Sequence, residues 1–199
     1  MAISQVTLKF IGGLHLKKSR DTALIIMFAV LNLVLFAMIG QLPELFTGIP
    51  AIGYVFIIFY AITGSVAMLM YQGRRWRLFT QGLLFSSIAF ILARIWTPTA
   101  AIVTILTSLI IDVVFNSYYE FFKRKNKLHW WVILSQIYSW TTQPIWTMLF
   151  VALFIAPFEV VLRNWFIPLI LVMLPAIIIQ AIAGGYIGYK IYRRVEKLA

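Results

Sequence analysis

The chain has 199 residues, of which 62% are hydrophobic and only 12% are charged, and its formal net charge is +11. A soluble domain of this length exposes too much surface to be covered by so few charged residues. The composition therefore excludes an ordinary soluble enzyme or binding module and indicates a protein embedded in a membrane.

Apolar residues form six long blocks separated by short polar or charged junctions. The blocks cover residues 22–40, 52–71, 78–96, 98–121, 130–156 and 165–190. A helix that crosses a bilayer needs about 20 mostly apolar residues, and lipid offers its backbone no hydrogen-bond partners. A transmembrane β-barrel would show shorter segments of alternating polarity. The pattern predicts an all-α membrane protein with six transmembrane helices, in one domain that covers residues 1–199.

Basic residues mark alternate junctions. All but two of the 17 lysines and arginines lie before the first block, between blocks two and three, between blocks four and five, or after block six. Cytoplasmic loops carry such an excess of positive charge, so both termini are predicted to be cytoplasmic in a multi-pass protein of the plasma membrane. Clusters this short are suited to contact with anionic membrane lipids rather than with nucleic acid.

The N-terminal segment and the junctions add local expectations. Residues 1–18, MAISQVTLKFIGGLHLKK, mix apolar and basic residues, which is typical of an interfacial segment on the inner leaflet or of a loose basic cytoplasmic tail. Thr97-Pro98 predicts the start of a helix. Aromatic residues near the block ends are expected to form the belt at the membrane surfaces: Tyr71, Trp76, Trp96, Tyr118, Tyr119, Trp130, Trp131, Trp165, Tyr189 and Tyr192.

Familiar catalytic and metal-binding patterns are missing from the sequence. The chain has no cysteine, and His15 and His129 do not have the spacing of metal ligands. The stretch GGLHLKKS lacks the glycine that precedes the lysine of a phosphate-binding loop. No serine-nucleophile elbow and no acid–base pair stand out. The sequence predicts a protein that is not an enzyme and that holds no metal or cofactor.

Polar residues inside the predicted spans are the candidates for function. In the fourth block, Thr104, Ser108, Asp112, Asn116 and Glu120 follow at intervals of four, so that successive members are neighbours on a helix. Asp112 is the only acidic residue deep in a predicted span, and a charge there must face protein or water. For Thr104 and Ser108 the alternative is close packing, because hydroxyl residues let membrane helices approach.

The fifth block has a polar centre, TTQPIW, which follows Trp140 and ends at Trp146. Pro144 has no N–H and leaves the carbonyl of Trp140 without its helical partner, an interruption that lipid tolerates only inside protein or beside a cavity. Two tryptophans around the amide of Gln143 are typical of a small-molecule pocket. The alternative is a kinked structural helix whose threonines bond to their own backbone.

The sixth block carries Ala176, Gln180, Gly184 and Gly188 at intervals of four. Small residues at this spacing predict a close contact between helices. The amide of Gln180 needs partners there, since a buried amide without them costs about 1–3 kcal/mol.

Six spans, cytoplasmic termini, a basic start and the closing helix AIAGGYIGYKIYRRVEK together resemble the substrate-binding S-component of an energy-coupling factor transporter. The resemblance covers the whole chain. That family often has an Ala-x-x-x-Ala pattern on its first span, where a transmembrane coupling protein docks. In this sequence Ala89 and Ala93 of the third span have that spacing.

The resemblance implies that a small water-soluble compound, a vitamin such as riboflavin, thiamine or biotin, binds in the outer half under the first outer loop. A transmembrane coupling protein and cytoplasmic ATPases would supply motion and energy. The implied ligand-binding residues are Thr104, Ser108, Asp112, Trp140, Gln143, Trp146, Asn164 and Gln180.

Two other functions stay open at this point. A membrane enzyme acting on a lipid or lipid-linked substrate would use Asp112, Asn116 and Glu120, near the inner face, as its polar centre. A structural membrane subunit would use its polar residues only to hold helices together.

Overall fold

The computed structural model describes residues 2–41, 46, 56–92, 98–154 and 166–198, and shows side chains for 19–39, 46, 56–91, 100–147 and 173–198. These ranges contain helices and the turns between them, and no strand. The helices are α1 (Ala2–Leu35), α2 (Ile57–Tyr71), α3 (Arg77–Leu92), α4 (Pro98–Ile110), α5 (Tyr119–Arg124), α6 (Leu128–Phe154) and α7 (Phe166–Leu198). The prediction of an all-α protein is therefore confirmed.

Two of the helices continue into turns with other hydrogen-bonding patterns. A π-helical turn, Phe36–Gln41, extends α1. A second π-helical segment, Ile111–Phe115, extends α4 and passes through one 3-10 turn, Asn116–Tyr118, directly into α5. Helix α4 begins at Pro98, as the Thr97-Pro98 step predicts.

Among the residues that the structure describes, three helical stretches are long and apolar enough to cross a membrane: Ser19–Ile39, Ala100–Arg124 and Met173–Leu198. Ile57–Tyr71 and Arg77–Ile91 form shorter apolar helices. A chain of this kind belongs to the membrane class that its composition indicates. That there are six crossings, with both termini in the cytoplasm, stays a prediction.

The N-terminal segment is helical and joins the first apolar block without a break. Helix α1 begins at Ala2 and runs through Gly12-Gly13 to Leu35. Glycine costs about 1 kcal/mol in a helix relative to alanine, so two glycines weaken this stretch without ending it. Whether residues 1–18 lie on the inner leaflet stays a prediction.

The long helices form a closed ring in the order α1, α3, α4, α6, α7, α2, and α2 also contacts α6 across the ring. The most extensive contact joins α2 to α7. Gly184 and Gly188 make it possible, because a Cβ at either position would lie 2.8 Å from a backbone carbonyl oxygen of α2. The small residues of the sixth block thus make the close contact that their spacing predicts, although Ala176 is exposed.

Contacts between the junctions bring the basic clusters to one end of the bundle, which we call the basic end. Arg74 and Arg77, which follow α2, pair with Asp21 near the start of the first apolar block. The ring of His129, at the start of α6, lies 5.6 Å from that of Tyr189 on α7. Successive long helices therefore run in opposite directions.

The turn from α2 to α3 at this end depends on one glycine. Gly73 has a φ of +69°, which residues with a side chain rarely adopt, and a Cβ there would lie 2.5 Å from the Cβ of Tyr119. The turn packs directly against the continuous helical segment that runs from α4 into α5. Alanine at this position would meet both strain and a clash.

Several aromatic residues expected at the membrane surface are buried instead. Tyr71, Tyr119 and Trp131 are each at most 5% exposed, whereas Trp76 and Trp130 are 55% and 50% exposed. The indole of Trp131 donates a 2.7 Å hydrogen bond to the carbonyl of Phe115. Tyr118 is also exposed, whereas Trp96 and Trp165 lie outside the described residues. A belt stays a prediction for the exposed rings, and the three buried rings form the core of the basic end.

Candidate functional site: a polar seam between α2 and α6

A polar and aromatic face runs along the middle of α6. Gln136, Trp140 and Gln143 follow at intervals of four and three residues, which places them on one side of the helix. This side faces α2 across the ring, because the Trp140 ring lies 5.5 Å from the ring of Tyr60. A Cβ at Gly64 of α2 would lie 3.1 Å from the Nε2 atom of Gln136, so the missing side chain leaves room for the amide.

We call this contact the α2–α6 seam and define it by six residues: Tyr60, Gly64 and Met68 of α2, and Gln136, Trp140 and Gln143 of α6. None of these six carries a formal charge. Together they offer two aromatic rings, two amides, an indole N–H and a phenol. Such groups recognise a ring-bearing polar molecule by contact area and hydrogen bonds.

The amide of Gln136 is the weakly satisfied centre of the seam. Gln136 is 4% exposed, and its Oε1 atom accepts a 3.1 Å hydrogen bond from Nε1 of Trp140. Its Nε2 atom reaches the sulfur of Met68 at 3.6 Å. A thioether is a weak acceptor and an amide nitrogen has two hydrogens to donate, so the seam keeps donor capacity for a guest.

The threonines of TTQPIW do not add to the seam. Thr141 donates a 2.7 Å hydrogen bond to the carbonyl of Ile137, and Thr142 donates a 2.6 Å bond to that of Tyr138. These bonds to the helix's own backbone match the alternative of a structural helix for the two threonines. Helix α6 continues through the buried Pro144.

Trp146 lies apart from the seam. The helical repeat turns it about a quarter turn away from the seam face. Its side chain is 38% exposed. The structure therefore turns Trp146 away from Trp140, with which the sequence grouped it, although it follows Gln143 by three residues on the same helix.

Thr104 and Ser108 serve the contact between α3 and α4. Thr104 donates a 2.9 Å hydrogen bond to the carbonyl of Ala100, and Ser108 donates a 2.8 Å bond to that of Thr104. Ser108 Oγ occupies the space that a Cβ of Gly82 would need. These observations favour the close-packing alternative, and none of the described contacts joins either residue to the seam.

Gln180 lies beside the outer end of the seam. Its Oε1 atom accepts a hydrogen bond of 3.3 Å from the backbone N–H of Ile58, in the first turn of α2. The first N–H groups of a helix have no intrahelical partner, so a side chain from α7 supplies one where water is scarce. This bond places Gln180 between α7 and the start of α2, and none of the described contacts joins it to Trp140.

Asp112 caps a helix at the basic end. Its Oδ2 atom accepts a 2.6 Å hydrogen bond from the backbone N–H of Phe79, in the first turn of α3. Its Oδ1 atom accepts a 2.5 Å bond from the amide of Asn116. Asp112 is 1% exposed. A carboxylate suits this position, because the start of a helix carries partial positive charge.

The π-helical segment explains why Asp112 and Asn116 stay on one face. In an α-helix, residues four apart drift around the axis by about 40°, so a long stripe turns away from its neighbour. A π-helical turn contains more residues and reverses that drift. Glu120, in α5, has left the face: it is exposed and lies 3.9 Å from Lys123.

The sequence analysis did not predict the salt-bridge cluster at the basic end. Asp21 Oδ1 lies 2.6 Å from the guanidinium of Arg74, and its Oδ2 atom lies 2.9 Å from that of Arg77. The feature of the sequence that could have indicated this cluster is the single carboxylate among the basic residues that precede the first block. Because α1 and α3 are neighbours in the ring, that carboxylate meets arginines more than 50 positions along the chain.

The first alanine of the Ala-x-x-x-Ala pattern in the third span, Ala89, lies inside the bundle. Ala89 is fully buried and packs with Ala29 and Phe85 between α1 and α3. Ala93 lies outside the described residues. The buried face of Ala89 is therefore an internal contact and not an open docking surface.

The structure thus brings Trp140 and Gln143 to one face of α6, bonds Gln180 to the start of α2, and places Thr104, Ser108 and Asp112 elsewhere. Asn164 lies outside the described residues, as does the first outer loop apart from Gln41 and Phe46. Within the described ranges, no group of three or more acidic or histidine side chains is arranged to hold a metal ion. Comparison of the chain with protein-family models, curated proteins and solved structures gives no match.

Proposed function

We propose that the protein is a solute-binding membrane subunit of a transporter and that it works in the manner of an energy-coupling factor S-component. The observation that supports this proposal is the α2–α6 seam. It sets a weakly satisfied amide and two aromatic rings in the contact between two long helices. The Nε2 atom of Gln136 has a thioether as its described partner, and we expect a solute to use the donor capacity that this partner leaves.

The arrangement of charges supports six crossings with both termini in the cytoplasm. All four basic clusters belong to junctions at the same end of the bundle, and an excess of lysine and arginine is characteristic of cytoplasmic loops. The long helices alternate in direction around a closed ring. In this proposal the protein lies in the plasma membrane, and the seam opens toward the outside.

The chemistry of the seam indicates the class of solute. Trp140 and Tyr60 offer flat faces, and the amides of Gln136 and Gln143 offer donors and acceptors around them. No described seam residue is charged, so an uncharged ring-bearing compound fits better than a strong anion or cation. Among the vitamins that the family resemblance implies, a riboflavin-like compound matches this description.

Energy for uptake would come from other chains. The sequence contains no phosphate-binding loop, so in this proposal a transmembrane coupling protein and cytoplasmic ATPases supply the motion. The protein itself binds and releases the solute and performs no chemistry on it.

Release of a bound compound from the purified protein is the direct test. The protein is denatured, and the supernatant is analysed by mass spectrometry. Binding of riboflavin, thiamine and biotin to the emptied protein is then measured by tryptophan fluorescence. We expect one of these to bind, and we expect Trp140→Phe to weaken binding about tenfold or more, because the larger indole ring and its hydrogen bond to Gln136 are lost.

The matched control is Trp130→Phe, which changes an exposed tryptophan at the basic end. It should bind like the wild type. A protein that releases no compound and binds none of the three, or a Trp140→Phe variant that binds normally, would remove the seam as a ligand site and favour a structural subunit.

A further inference from the structure

A notch of about 200 Å³ opens at the basic end on the outer surface of the ring. Its back wall is α2, through Val66 and Met70, and its sides are α1 and α7. Val66 lies on the side of α2 opposite to Gly64, which faces the interior, because the two are two residues apart on a helix. The notch therefore faces the surroundings of the bundle and is separate from the α2–α6 seam.

The lining of the notch is divided between apolar walls and a polar rim. Val66, Met70 and Val195 form the walls, while Arg20 and Gln72 stand at the rim. A phospholipid has the same division between chains and headgroup. The basic end is also where the proposed topology places the inner membrane surface, at which headgroups lie.

The charges around the notch sum to a positive site. Glu196 lines it, but its carboxylate is 3.0 Å from the guanidinium of Arg193 and accepts a 3.4 Å hydrogen bond from Tyr192. Arg20 is exposed and has no ion pair among the residues that the structure describes. The acidic partner is thus already neutralised, and the arginine keeps its charge for a ligand.

We propose that this notch binds the phosphodiester headgroup of an anionic membrane phospholipid. Arg20 pairs with the phosphate, and Val66, Met70 and Val195 contact the upper part of the acyl chains. The site joins α1 to α7 on either side of α2, so a bound lipid would brace the three helices. This inference is independent of the solute that the seam binds.

Native mass spectrometry of the detergent-purified protein tests the proposal. Equal amounts of phosphatidylglycerol or phosphatidylcholine are added, and the retained lipid is counted per protein. We expect preferential retention of phosphatidylglycerol, and Arg20→Gln should reduce it about fivefold, the share of one basic residue at an anionic surface. The control is Arg75→Gln, an exposed arginine at the same end that bonds Ser117 and does not line the notch.

A second variant, Val66→Trp, fills the notch without changing its charge and should lower retention as well. Normal retention by Arg20→Gln, equal retention of the two lipids, or equal loss in Arg75→Gln would overturn the proposal. The melting temperature is measured for each variant. If millimolar inorganic phosphate raises it as much as phosphatidylglycerol does, the site takes a free anion and the lipid assignment is wrong.

Discussion

The basic end and the α2–α6 seam both hold buried polar side chains, and they satisfy them very differently. At the basic end, the carboxylates of Asp21 and Asp112 each accept two short hydrogen bonds from strong donors. In the seam, the amide nitrogen of Gln136 has a sulfur atom at 3.6 Å as its partner. The two carboxylates hold helices together, whereas the amide of Gln136 has donor capacity that its partner leaves unused, and the proposed ligand site is based on this difference.

Position in the bundle accounts for part of this difference. At the basic end, turns and helix termini offer backbone N–H groups that need acceptors, so a carboxylate near them accepts their hydrogen bonds. In the middle of α2 and α6 the backbone is already paired within each helix. The side-chain amide of Gln136 therefore bonds other side chains, those of Met68 and Trp140.

The largest expected effect belongs to Asp112→Ala. The change leaves the N–H of Phe79 and the amide of Asn116 without their acceptor, and should lower the free energy of unfolding by about 2–4 kcal/mol. Unfolding in mixed detergent micelles measures it. Asp112→Asn is the control: it keeps one acceptor oxygen, and the amide of Asn116 can turn over to accept from the new one. If both variants lose the same stability, the charge matters and the hydrogen bonds do not.

Gly188→Ala tests whether the close contact with α7 holds α2, and with it one side of the seam, in place. The new Cβ would lie 2.6 Å from the Cβ of Ser65 and 2.8 Å from the carbonyl oxygen of Ile62, so α2 must move. We expect a loss of about 1–3 kcal/mol in stability, with weaker solute binding because Tyr60 and Gly64 move too. Ala176→Leu adds more bulk at an exposed position of the same helix and should change neither.

The smallest effect on stability is expected in the seam itself. Changing Gln136→Leu and Trp140→Phe together removes both partners of one hydrogen bond, and stability should change by less than about 1 kcal/mol. Solute binding should be lost. The single change Gln136→Leu serves as the comparison, because it leaves the indole N–H unpaired and should be less stable than the double variant. If the double variant is as unstable as Asp112→Ala, the polar groups of the seam stabilise the fold as much as those of the basic end do, which contradicts the comparison.

The aromatic residues show how far sequence reasoning reached. Position near the end of an apolar block predicted a surface belt for Trp130 and Trp131 alike, yet one is exposed and the other is fully buried. Adjacent residues of a helix point in directions about 100° apart, so one step decides between lipid and core. Which direction meets a neighbour depends on the order of helices in the ring, and hydropathy does not encode that order.

The polar stripe of the fourth block shows a second limit. Intervals of four residues predicted neighbours on one face, and the hydrogen bond between Asp112 and Asn116 agrees with this. Nothing in the sequence indicates the π-helical turn that keeps them facing α3, nor the hydrogen bond that Asp112 accepts from the N–H of Phe79. Phe79 lies in the first turn of α3, more than 30 positions before Asp112 in the chain.

Composition alone determined that this is an all-helical membrane protein, because long apolar blocks leave lipid as their solvent and the helix as the structure that pairs every backbone group. The spacing of small residues on α7 likewise predicted its close helix contact. Only the tertiary structure decided which polar side chains cap helix ends and which keep unused hydrogen-bonding capacity. That outcome depends on the ends and faces that a closed ring of helices sets side by side, across distances along the chain that no local pattern records.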